Sequence, residues 1–263
     1  MGDPIAHSLS PVLHRAGYAA VGLDWEYDAA LVPAGELAGF VTRLPEDWRG
    51  LSVTAPLKRE AIALADVVSD RAMFVGSANT LLVAGHEVHA DNTDLPGAVA
   101  AVRERYDAEV GAALVLGAGA TAASTGLALA ELGATRIAIA ARAVSRAADT
   151  VAAVSAHPRR PQVRVVDLAD VELDDEDIVV STIPAAAQTR ELVARVADVE
   201  VVFDVVYDPW PTPLARAATR TLVGGLDLLV HQAALQFTAF TGVAAPLGAM
   251  RAAGEAALRE RLL

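Results

Sequence analysis

A glycine-rich turn between an apolar run and a helix-like stretch constrains the fold of this chain most strongly. The apolar run is Ala112–Leu116, and the pattern G-x-G-x-x-A follows it at Gly117–Ala122. Residues 121–132 then have the pattern of a helix, and Gly133 is placed to end it. Glycine allows the tight turn and the close backbone approach that a pyrophosphate needs, and the helix N-terminus directs free N–H groups at the anion. The pattern predicts a dinucleotide site, with a purely structural glycine turn as the alternative.

The same alternation of strand and helix patterns continues beyond the turn. Four apolar runs have strand character, and they are residues 136–140, 163–166, 178–181 and 201–205. Two stretches between them, 144–156 and 186–196, have helical character. Apolar strands that alternate with helices indicate a parallel sheet covered on both faces.

The first part of the chain alternates less regularly. It predicts strands at 25–31 and 50–53, and helices at 11–20, 34–42, from Lys58, and at 94–105; the tail predicts helices at 228–241 and 247–262. We therefore expect an α/β fold of two lobes with a cleft between them. An N-terminal α/β substrate-binding and catalytic domain would span 1–108, with C-terminal helices 235–263 packing back on it. A Rossmann-type, doubly wound dinucleotide-binding domain would span 109–234.

Composition excludes several classes of protein. The 263 residues are 54% hydrophobic and 21% charged, which excludes a disordered chain. The net charge of −12, from 33 acidic and 21 basic residues, repels nucleic acid and anionic lipid, so we expect neither as a partner. Two stretches, 110–130 and 231–250, approach membrane-span length, but glycine, polar residues or proline interrupt them. No signal peptide is visible, and we expect a cytoplasmic protein that is a monomer or a homodimer.

Metal and thiol chemistry find no support in the sequence. The chain has no cysteine, which excludes disulfides and thiolate nucleophiles. It has six histidines, among them His86 and His89, but no ligand cluster of convincing spacing accompanies them. We predict no metal site.

The strand after the glycine turn indicates which dinucleotide binds. An NAD site usually places an acidic residue about 20 residues beyond the glycines, where it accepts from the ribose hydroxyl. In this chain that position falls on Ala140–Arg142, which contains no acid. Arg142 and Arg146 are four residues apart and can clamp a 2′-phosphate. NADP(H) is therefore the predicted cofactor, with two solvated surface arginines as the alternative.

The basic residues provide a candidate catalytic group. Of the 21 basic residues, 20 are arginine, and the single lysine is Lys58. Arginine cannot release its proton, whereas a partly desolvated lysine can. Lys58 follows the apolar strand pattern at 50–53 and a short loop, and catalytic groups in open α/β sheets lie at such carboxyl ends. We predict that Lys58 is catalytic.

Two polar clusters supplement Lys58. Asp94 ends the segment Asp91–Asp94. Together with Lys58 it would form a lysine–carboxylate pair, which suits proton transfer coupled to hydride transfer. The alternative role of Asp94 is a helix cap. Ser8 and Ser10 flank Leu9 near the N-terminus. Two hydroxyls at i and i+2 of an extended segment point the same way and can hold a carboxylate, although a simple helix cap is the alternative.

These segments together resemble the shikimate dehydrogenase family. The likeness covers nearly the whole chain and is carried by Pro4–Pro11, Ser52–Lys58, Ser77–Leu81, Asn92–Asp94, the glycine pattern, Tyr207–Leu214 and Gly225–Gln232. The resemblance implies NADP-dependent, reversible reduction of 3-dehydroshikimate to shikimate, on the pathway to chorismate and aromatic amino acids. The substrate partner is then a small molecule.

The resemblance also implies roles for individual residues. Lys58 and Asp94 would be the catalytic pair, and Ser8 and Ser10 would bind the substrate carboxylate. Further substrate contacts would come from Thr54, Asn79, Thr93, Tyr207 and Gln232. Cofactor contacts would come from Gly117, Ala118, Gly119, Ala120, Thr121, Arg142, Arg146, Ser181, Thr182, Val205 and Gly225.

Several departures from the family pattern leave alternatives open. Ser52 and Ala141 stand where asparagine is usual or frequent, and Asp227 stands where glycine is common. Family members usually have a strand before the G-x-P-I segment, which is Gly2–Ile5 here, so we expect either an upstream start or a lost strand with an exposed sheet edge. The rival functions are a quinate/shikimate dehydrogenase paralogue that uses NAD, and a non-catalytic sensor of a shikimate-like metabolite.

Overall fold

The computed structural model describes residues 1–85 and 87–261. His86 lies outside these residues, and so does Leu262, which ends the predicted tail helix. Among the described residues, the regular elements are α1 (Ser10–Val21), α2 (Leu37–Val41), β1 (Gly50–Ser52), α3 (Lys58–Leu64), β2 (Val67–Val68), α4 (Asp70–Val75), β3 (Thr80–Ala84), β4 (Glu87–Asp91), α5 (Asp94–Arg105), β5 (Ala112–Leu116), α6 (Ala120–Glu131), β6 (Arg136–Ala141), α7 (Ala148–Ser155), β7 (Gln162–Asp167), β8 (Ile178–Ser181), α8 (Arg190–Val196), β9 (Val201–Asp204), α9 (Pro213–Ala217), β10 (Thr221–Val223), α10 (Gly225–Thr241) and α11 (Leu247–Glu260).

The chain divides into two compact units. Unit 1 contains Met1–Thr93 and the residues from Leu229 onward, and unit 2 contains Asp94–Leu228. The first boundary lies at Thr93 rather than near residue 108, because α5 packs against α6 of unit 2. The second lies within α10, at Leu228 rather than at 234.

Unit 2 has a Rossmann-type sheet. Its six strands lie in the order β10-β9-β8-β5-β6-β7, and every neighbouring pair is parallel. Read from the other edge this is the order 3-2-1-4-5-6 of doubly wound dinucleotide-binding folds. The strands β5, β8 and β9 are buried along their whole length, which is why they are apolar except for Ser181 and Asp204 at the ends of β8 and β9. The carboxyl ends of all six strands therefore lie along one edge of the sheet.

Unit 1 has a smaller, mixed sheet in the order β1-β3-β4-β2. The pairs β1·β3 and β3·β4 are antiparallel, and β2·β4 is parallel. One face buries an aliphatic core that includes Leu51, Leu57 and Leu81, each 3% exposed or less. Burial of each such side chain stabilises the fold by about 1.5–3 kcal/mol.

An aromatic cluster forms a second core in unit 1. The ring of His14 stacks on that of Tyr27, with ring centres 4.2 Å apart and planes 11° apart. Phe237 and Phe240 of α10 also lie against His14, with centroids 6.4 and 5.8 Å away. The helix α11 packs against α1 on the same side of the unit. The tail of the chain is therefore part of the core of unit 1.

Three predicted elements differ clearly from the structure. The predicted helix at 186–196 is interrupted, because a 3₁₀ turn covers Ala185–Ala187 and α8 starts only at Arg190. The predicted strand at Trp25–Leu31 is wrong: the segment forms no ladder, and only an isolated bridge joins Leu31 to Gly2. Its alternating aromatic residues bury Tyr27 against His14 without pairing the backbone. The predicted helix at 144–156 begins with a 3₁₀ turn at Val144–Ala147, and α7 starts only at Ala148.

Membrane-spanning character is absent from the described helices. Within residues 1–85 and 87–261, none of them combines the length and the apolar composition that crossing a membrane requires.

Candidate active site

The glycine turn of unit 2 has the geometry that a phosphate-binding turn requires. Gly117 follows β5 directly and has φ = +117°, which side chains rarely tolerate. A Cβ atom there would lie 2.1 Å from Thr182 Oγ1, so only glycine fits. Gly119 is the N-cap of α6, and no atom lies within 4 Å of a Cβ placed on it. The backbone of Gly117–Thr121 therefore leaves open space in front of the helix N-terminus, where a pyrophosphate can approach.

The two predicted phosphate-clamp arginines lie beside this turn in the sheet order. Arg142 directly follows β6, the neighbour of β5, and Arg146 lies in the 3₁₀ turn that comes next. Both side chains are exposed, and neither guanidinium has an ion-pair partner among the described residues. Unpaired cations at the carboxyl edge suit a 2′-phosphate, so the residues present fit NADP(H).

The remaining predicted cofactor residues lie at the same edge of the sheet. Ser181 ends β8, and its backbone carbonyl accepts from Val205 N at 3.0 Å. The hydroxyl of Thr182 donates to the Leu116 carbonyl at 3.0 Å, next to the glycine turn. Gly225 begins α10, and a Cβ there would lie 2.4 Å from the Val205 carbonyl oxygen. The ends of β5, β8 and β9 thus bring the predicted cofactor residues of unit 2 together.

Lys58 lies in a protected position in unit 1. It is the first residue of α3, and only 9% of it is exposed. A turn at Thr54–Leu57 leads into it, closed by a 2.9 Å hydrogen bond from Leu57 N to the Thr54 carbonyl. The carbonyl of Lys58 accepts from Ala78 N at 2.9 Å, which places the start of α3 beside Asn79.

Three of the predicted substrate residues form one hydrogen-bonded group in unit 1. Asn79 Nδ2 donates to Thr93 Oγ1 at 2.9 Å and lies 3.2 Å from Gln232 Oε1, which it also donates to. Asn79 Oδ1 accepts from Thr93 N at 2.8 Å, which fixes the orientation of the amide. All three side chains are at least nine-tenths buried. Residues distant in sequence therefore converge on one polar patch.

The other predicted residues are placed individually. Ser8 and Ser10 lie at the start of α1, and Ser8 Oγ accepts from Ser10 N at 3.3 Å. The N-cap position of α1 is Leu9, which makes no side-chain hydrogen bond, whereas the Ser8 hydroxyl accepts from the first N–H of the helix, so the helix-cap alternative stays open. Asp94 is 7% exposed and is the first residue of α5, directly after Thr93. Tyr207 is half-buried in the loop between β9 and α9 of unit 2.

A buried hydrogen-bond network next to Asn79 was not predicted from the sequence. Gln236 Nε2 donates to the Asn79 carbonyl at 3.0 Å and to Thr80 Oγ1 at 2.9 Å. Gln236 Oε1 accepts from Ser52 Oγ at 2.6 Å, and the Tyr27 hydroxyl donates to the same serine. Ser52, a departure from the family pattern, thus has a structural role of its own. The sequence feature that could have indicated this network is Gln236, which follows Gln232 by four residues on α10.

Asp227, another departure from the family pattern, has hydrogen-bond partners within unit 2. Its Oδ2 accepts from Gly224 N at 3.0 Å, and its Oδ1 accepts from Arg105 at 2.9 Å. The carboxylate therefore caps the first turn of α10, where negative charge near a helix N-terminus is favourable.

Comparison with known proteins agrees with this arrangement. The family model of the shikimate dehydrogenase substrate-binding domain matches residues 1–81, and that of the shikimate 5′-dehydrogenase C-terminal domain matches 225–253. The chain is 36% identical to a shikimate dehydrogenase (NADP(+)) of Methylobacterium radiotolerans over 92% of this chain and 90% of that protein.

Solved structures match over nearly the whole chain. Mycobacterium tuberculosis shikimate dehydrogenase is 41% identical, with a TM-score of 0.85 and 97% of each chain covered. Quinate dehydrogenase of Corynebacterium glutamicum, solved with NAD, is 27% identical, with a TM-score of 0.87 and coverage of 97% of this chain and 96% of that one.

Fold, site and relatives define an NADP-dependent oxidoreductase with a Rossmann-type unit and a second α/β unit. The chain belongs to the shikimate dehydrogenase family. It is thus an oxidoreductase of the shikimate pathway, as the sequence predicted.

Proposed function

We propose that this enzyme reduces 3-dehydroshikimate to shikimate with NADPH, reversibly, on the route to chorismate and aromatic amino acids. The observation that carries the proposal is the placement of Lys58: the only lysine is buried at the start of α3, beside the Asn79–Thr93–Gln232 group. A buried lysine at a helix start beside a patch of amide and hydroxyl groups suits a polyhydroxylated acid whose carbonyl must receive a proton.

Residues of unit 1 and Tyr207 would bind the substrate, and residues of unit 2 would bind the cofactor. Ser8 and Ser10 bind the substrate carboxylate, and Thr54, Asn79, Thr93, Tyr207 and Gln232 hold its ring oxygens. In unit 2, the turn Gly117–Thr121 with Ser181, Thr182, Val205 and Gly225 holds the dinucleotide, and Arg142 and Arg146 hold its 2′-phosphate. When bound, NADPH supplies the hydride that reduces the carbonyl carbon.

Proton transfer falls to Lys58 and Asp94. As the carbonyl oxygen gains negative charge, the Lys58 ammonium donates a proton to it, and a hydroxyl results. In the oxidative direction the neutral amine takes that proton back. Asp94 would be the carboxylate partner of Lys58 in this proton transfer.

A spectrophotometric assay tests the proposal. Purified protein, shikimate and NADP should give rapid reduction of NADP, and 3-dehydroshikimate with NADPH should give the reverse reaction. Four combinations, shikimate or quinate with NADP or NAD, should show the highest kcat/KM for shikimate with NADP. Binding of shikimate without reduction of either nucleotide at any pH would instead establish a sensor.

Quinate oxidation with NAD is the second candidate, favoured by the structural likeness to quinate dehydrogenase. The absence of an acid at Ala140–Arg142, where an NAD ribose would be held, argues for NADP. Dominant NAD-linked turnover of quinate would overturn the proposal in favour of this alternative.

A further inference from the structure

Three buried polar side chains of unit 2 have no part in the mechanism above. Asp204 ends β9 and is 0% exposed, Gln188 is 5% exposed, and Thr212 is 0% exposed. Asp204 Oδ2 accepts from Gln188 Nε2 at 2.8 Å and from Thr212 Oγ1 at 2.6 Å, and its Oδ1 accepts from Val206 N at 3.1 Å. We call these three side chains the Asp204 cluster.

The orientation of each donor in the Asp204 cluster is fixed by a second, backbone contact. Gln188 Oε1 accepts from Leu214 N at 3.0 Å, so the NH₂ group of this amide must face Asp204. Thr212 Oγ1 accepts from Ala215 N at 3.0 Å as the N-cap of α9, which leaves its proton for Asp204. Asp204 therefore faces donors only, and a side chain that carries an NH₂ group cannot satisfy them all.

The Asp204 cluster closes both ends of one loop, residues 205–212. Asp204 immediately precedes the loop, and Thr212 is its last residue. Gln188 also donates to Ser181 Oγ at 3.2 Å, which connects the loop to the end of β8. The loop contains Val205 and Tyr207, which the proposed function assigns to the cofactor and the substrate.

The loop is also packed against the start of α10. The backbone of Val205 and Val206 lies so close to Gly225 that a Cβ there would be 2.4–2.7 Å from it. The Trp210 ring lies 3.2 Å from where a Cβ of Gly224 would be. A small displacement of the loop would therefore also disturb the Gly224–Gly225 turn, because the two segments are closely packed with no free space between them.

We propose that Asp204 is a positioning residue: its carboxylate holds the 205–212 loop in place, and this keeps Val205 and Tyr207 at fixed positions relative to the glycine turn. This inference rests on the proposed function for the role of those two residues. Asp204 touches neither substrate nor cofactor and acts through the loop.

A pair of variants separates the hydrogen-bond pattern from the charge. In the single variant Asp204→Asn, at least one donor must face an NH₂ group, and its hydrogen bond is lost. In the exchange variant Asp204→Asn/Gln188→Glu, the carboxylate moves to position 188. There it accepts from the new amide at position 204 and from Leu214 N, while the amide oxygen at position 204 accepts from Val206 N. The exchange keeps the same atoms and the same charge. The Thr212 hydroxyl loses its acceptor, and Ser181 Oγ loses the Gln188 donor, although its own hydroxyl can then donate to the new carboxylate.

Kinetics at a temperature well below unfolding provide the first measurement. We expect Asp204→Asn to lower kcat/KM for shikimate about 10- to 100-fold, the range for a buried donor left unpaired. The KM for shikimate should change more than the Kd for NADP, because the glycine turn and Arg142 are untouched. The exchange variant should recover part of the loss, whereas the control Asp198→Asn, at an exposed acid ahead of β9, should match the parent enzyme. Kinetic constants within twofold of the parent in Asp204→Asn would overturn the proposal.

A spectroscopic measurement keeps the test independent of turnover. The protein labelled with 5-fluorotryptophan has three ¹⁹F signals, from Trp25, Trp48 and Trp210. In Asp204→Asn the Trp210 signal, assigned with Trp210→Phe, should shift or broaden while the other two stay, and the exchange variant should move it back toward the parent position. An unchanged Trp210 signal in Asp204→Asn would refute the positioning role even if the parent had no shikimate activity.

A second pair of variants covers the case in which Asp204→Asn does not fold. Thr212→Ser keeps the hydroxyl and should behave like the parent in both measurements. Thr212→Val keeps the shape but loses the donor and the cap, and it should reproduce the shifted Trp210 signal and the raised KM. Equal behaviour of the two variants would contradict the proposal.

Discussion

At the residue scale, Lys58 has the clearest consequence for activity. Replacing it with alanine removes the proposed proton donor, and we expect kcat to fall ~10²–10⁴-fold, with a smaller effect on substrate affinity. Lys58→Arg is the matched control: it keeps the positive charge but cannot release a proton, so it should be similarly inactive. Steady-state kinetics with shikimate and NADP provide the measurement. Full activity of Lys58→Arg would mean that charge alone matters at this position.

Arg142 bears on the choice of cofactor. We expect Arg142→Ala to raise the KM for NADP ~10- to 100-fold, because a charge-assisted hydrogen bond to the 2′-phosphate contributes about 1.5–3 kcal/mol. Turnover with NAD should not change. Arg190→Ala, which removes another exposed arginine, should leave both values as they are. An equal loss with NADP and NAD would show that Arg142 does not contact the 2′-phosphate.

At the scale of single elements, two glycines should respond differently to alanine. Gly225→Ala forces a Cβ to within 2.4 Å of the Val205 carbonyl and should lower the free energy of unfolding by about 1–3 kcal/mol. Gly119→Ala meets no atom within 4 Å, so its stability should stay near that of the parent, whereas NADP binding should weaken because the methyl group enters the phosphate site. Urea denaturation and NADP titration of both variants distinguish the two effects. Equal stability of the two would contradict the close packing at Gly225.

Elements buried on both faces could be predicted from sequence, and half-buried ones could not. The strands β5, β6, β8 and β9 are apolar apart from single end residues because helices cover the sheet on both sides. The hairpin of β3 and β4 was missed, since its exposed residues dilute the apolar signal. Trp25–Leu31 had the alternation of a strand, but periodicity does not show whether a neighbouring strand is available to pair with it.

Candidate site residues in recognisable local patterns could also be predicted, but their buried hydrogen-bond partners could not. Gln236, for example, acts on Asn79 and Ser52 from the far end of the chain. Gln188 and Asp204 meet only after β8 and β9 have paired. Such partners have no fixed spacing, so only the folded arrangement shows them.

At the scale of the whole molecule, His14 makes stability depend on pH. The ring is 0% exposed among Tyr18, Tyr27, Phe237 and Phe240. Burial lowers the pKa of His14 to about 3, and nearby Gln236 opposes this by a smaller amount. Burial also raises the pKa of Tyr18 to about 12 and raises that of Tyr27, so neither neighbour is charged at neutral pH.

The sign of the pH effect follows from the lowered pKa. Between pH 6.5 and 3 the unfolded chain binds a proton at His14 that the folded protein does not, so stability is lost as pH falls through this window, by up to about 1.4 kcal/mol per pH unit. His14→Phe should abolish this part of the acid dependence and leave stability at pH 8 nearly unchanged. Urea denaturation of both proteins from pH 8 to pH 4 measures the difference. Parallel curves would show that His14 does not titrate in this way.

The division of unit 1 between the two ends of the sequence has a consequence for synthesis. On the ribosome, residues 94–228 emerge as one uninterrupted stretch and can fold as soon as they leave the exit tunnel. The first 93 residues must wait, because Phe237, Phe240 and α11 are translated after residues 94–228. The nascent enzyme thus completes its nucleotide-binding half first, while the rings of His14 and Tyr18 stay uncovered until α10 has been translated.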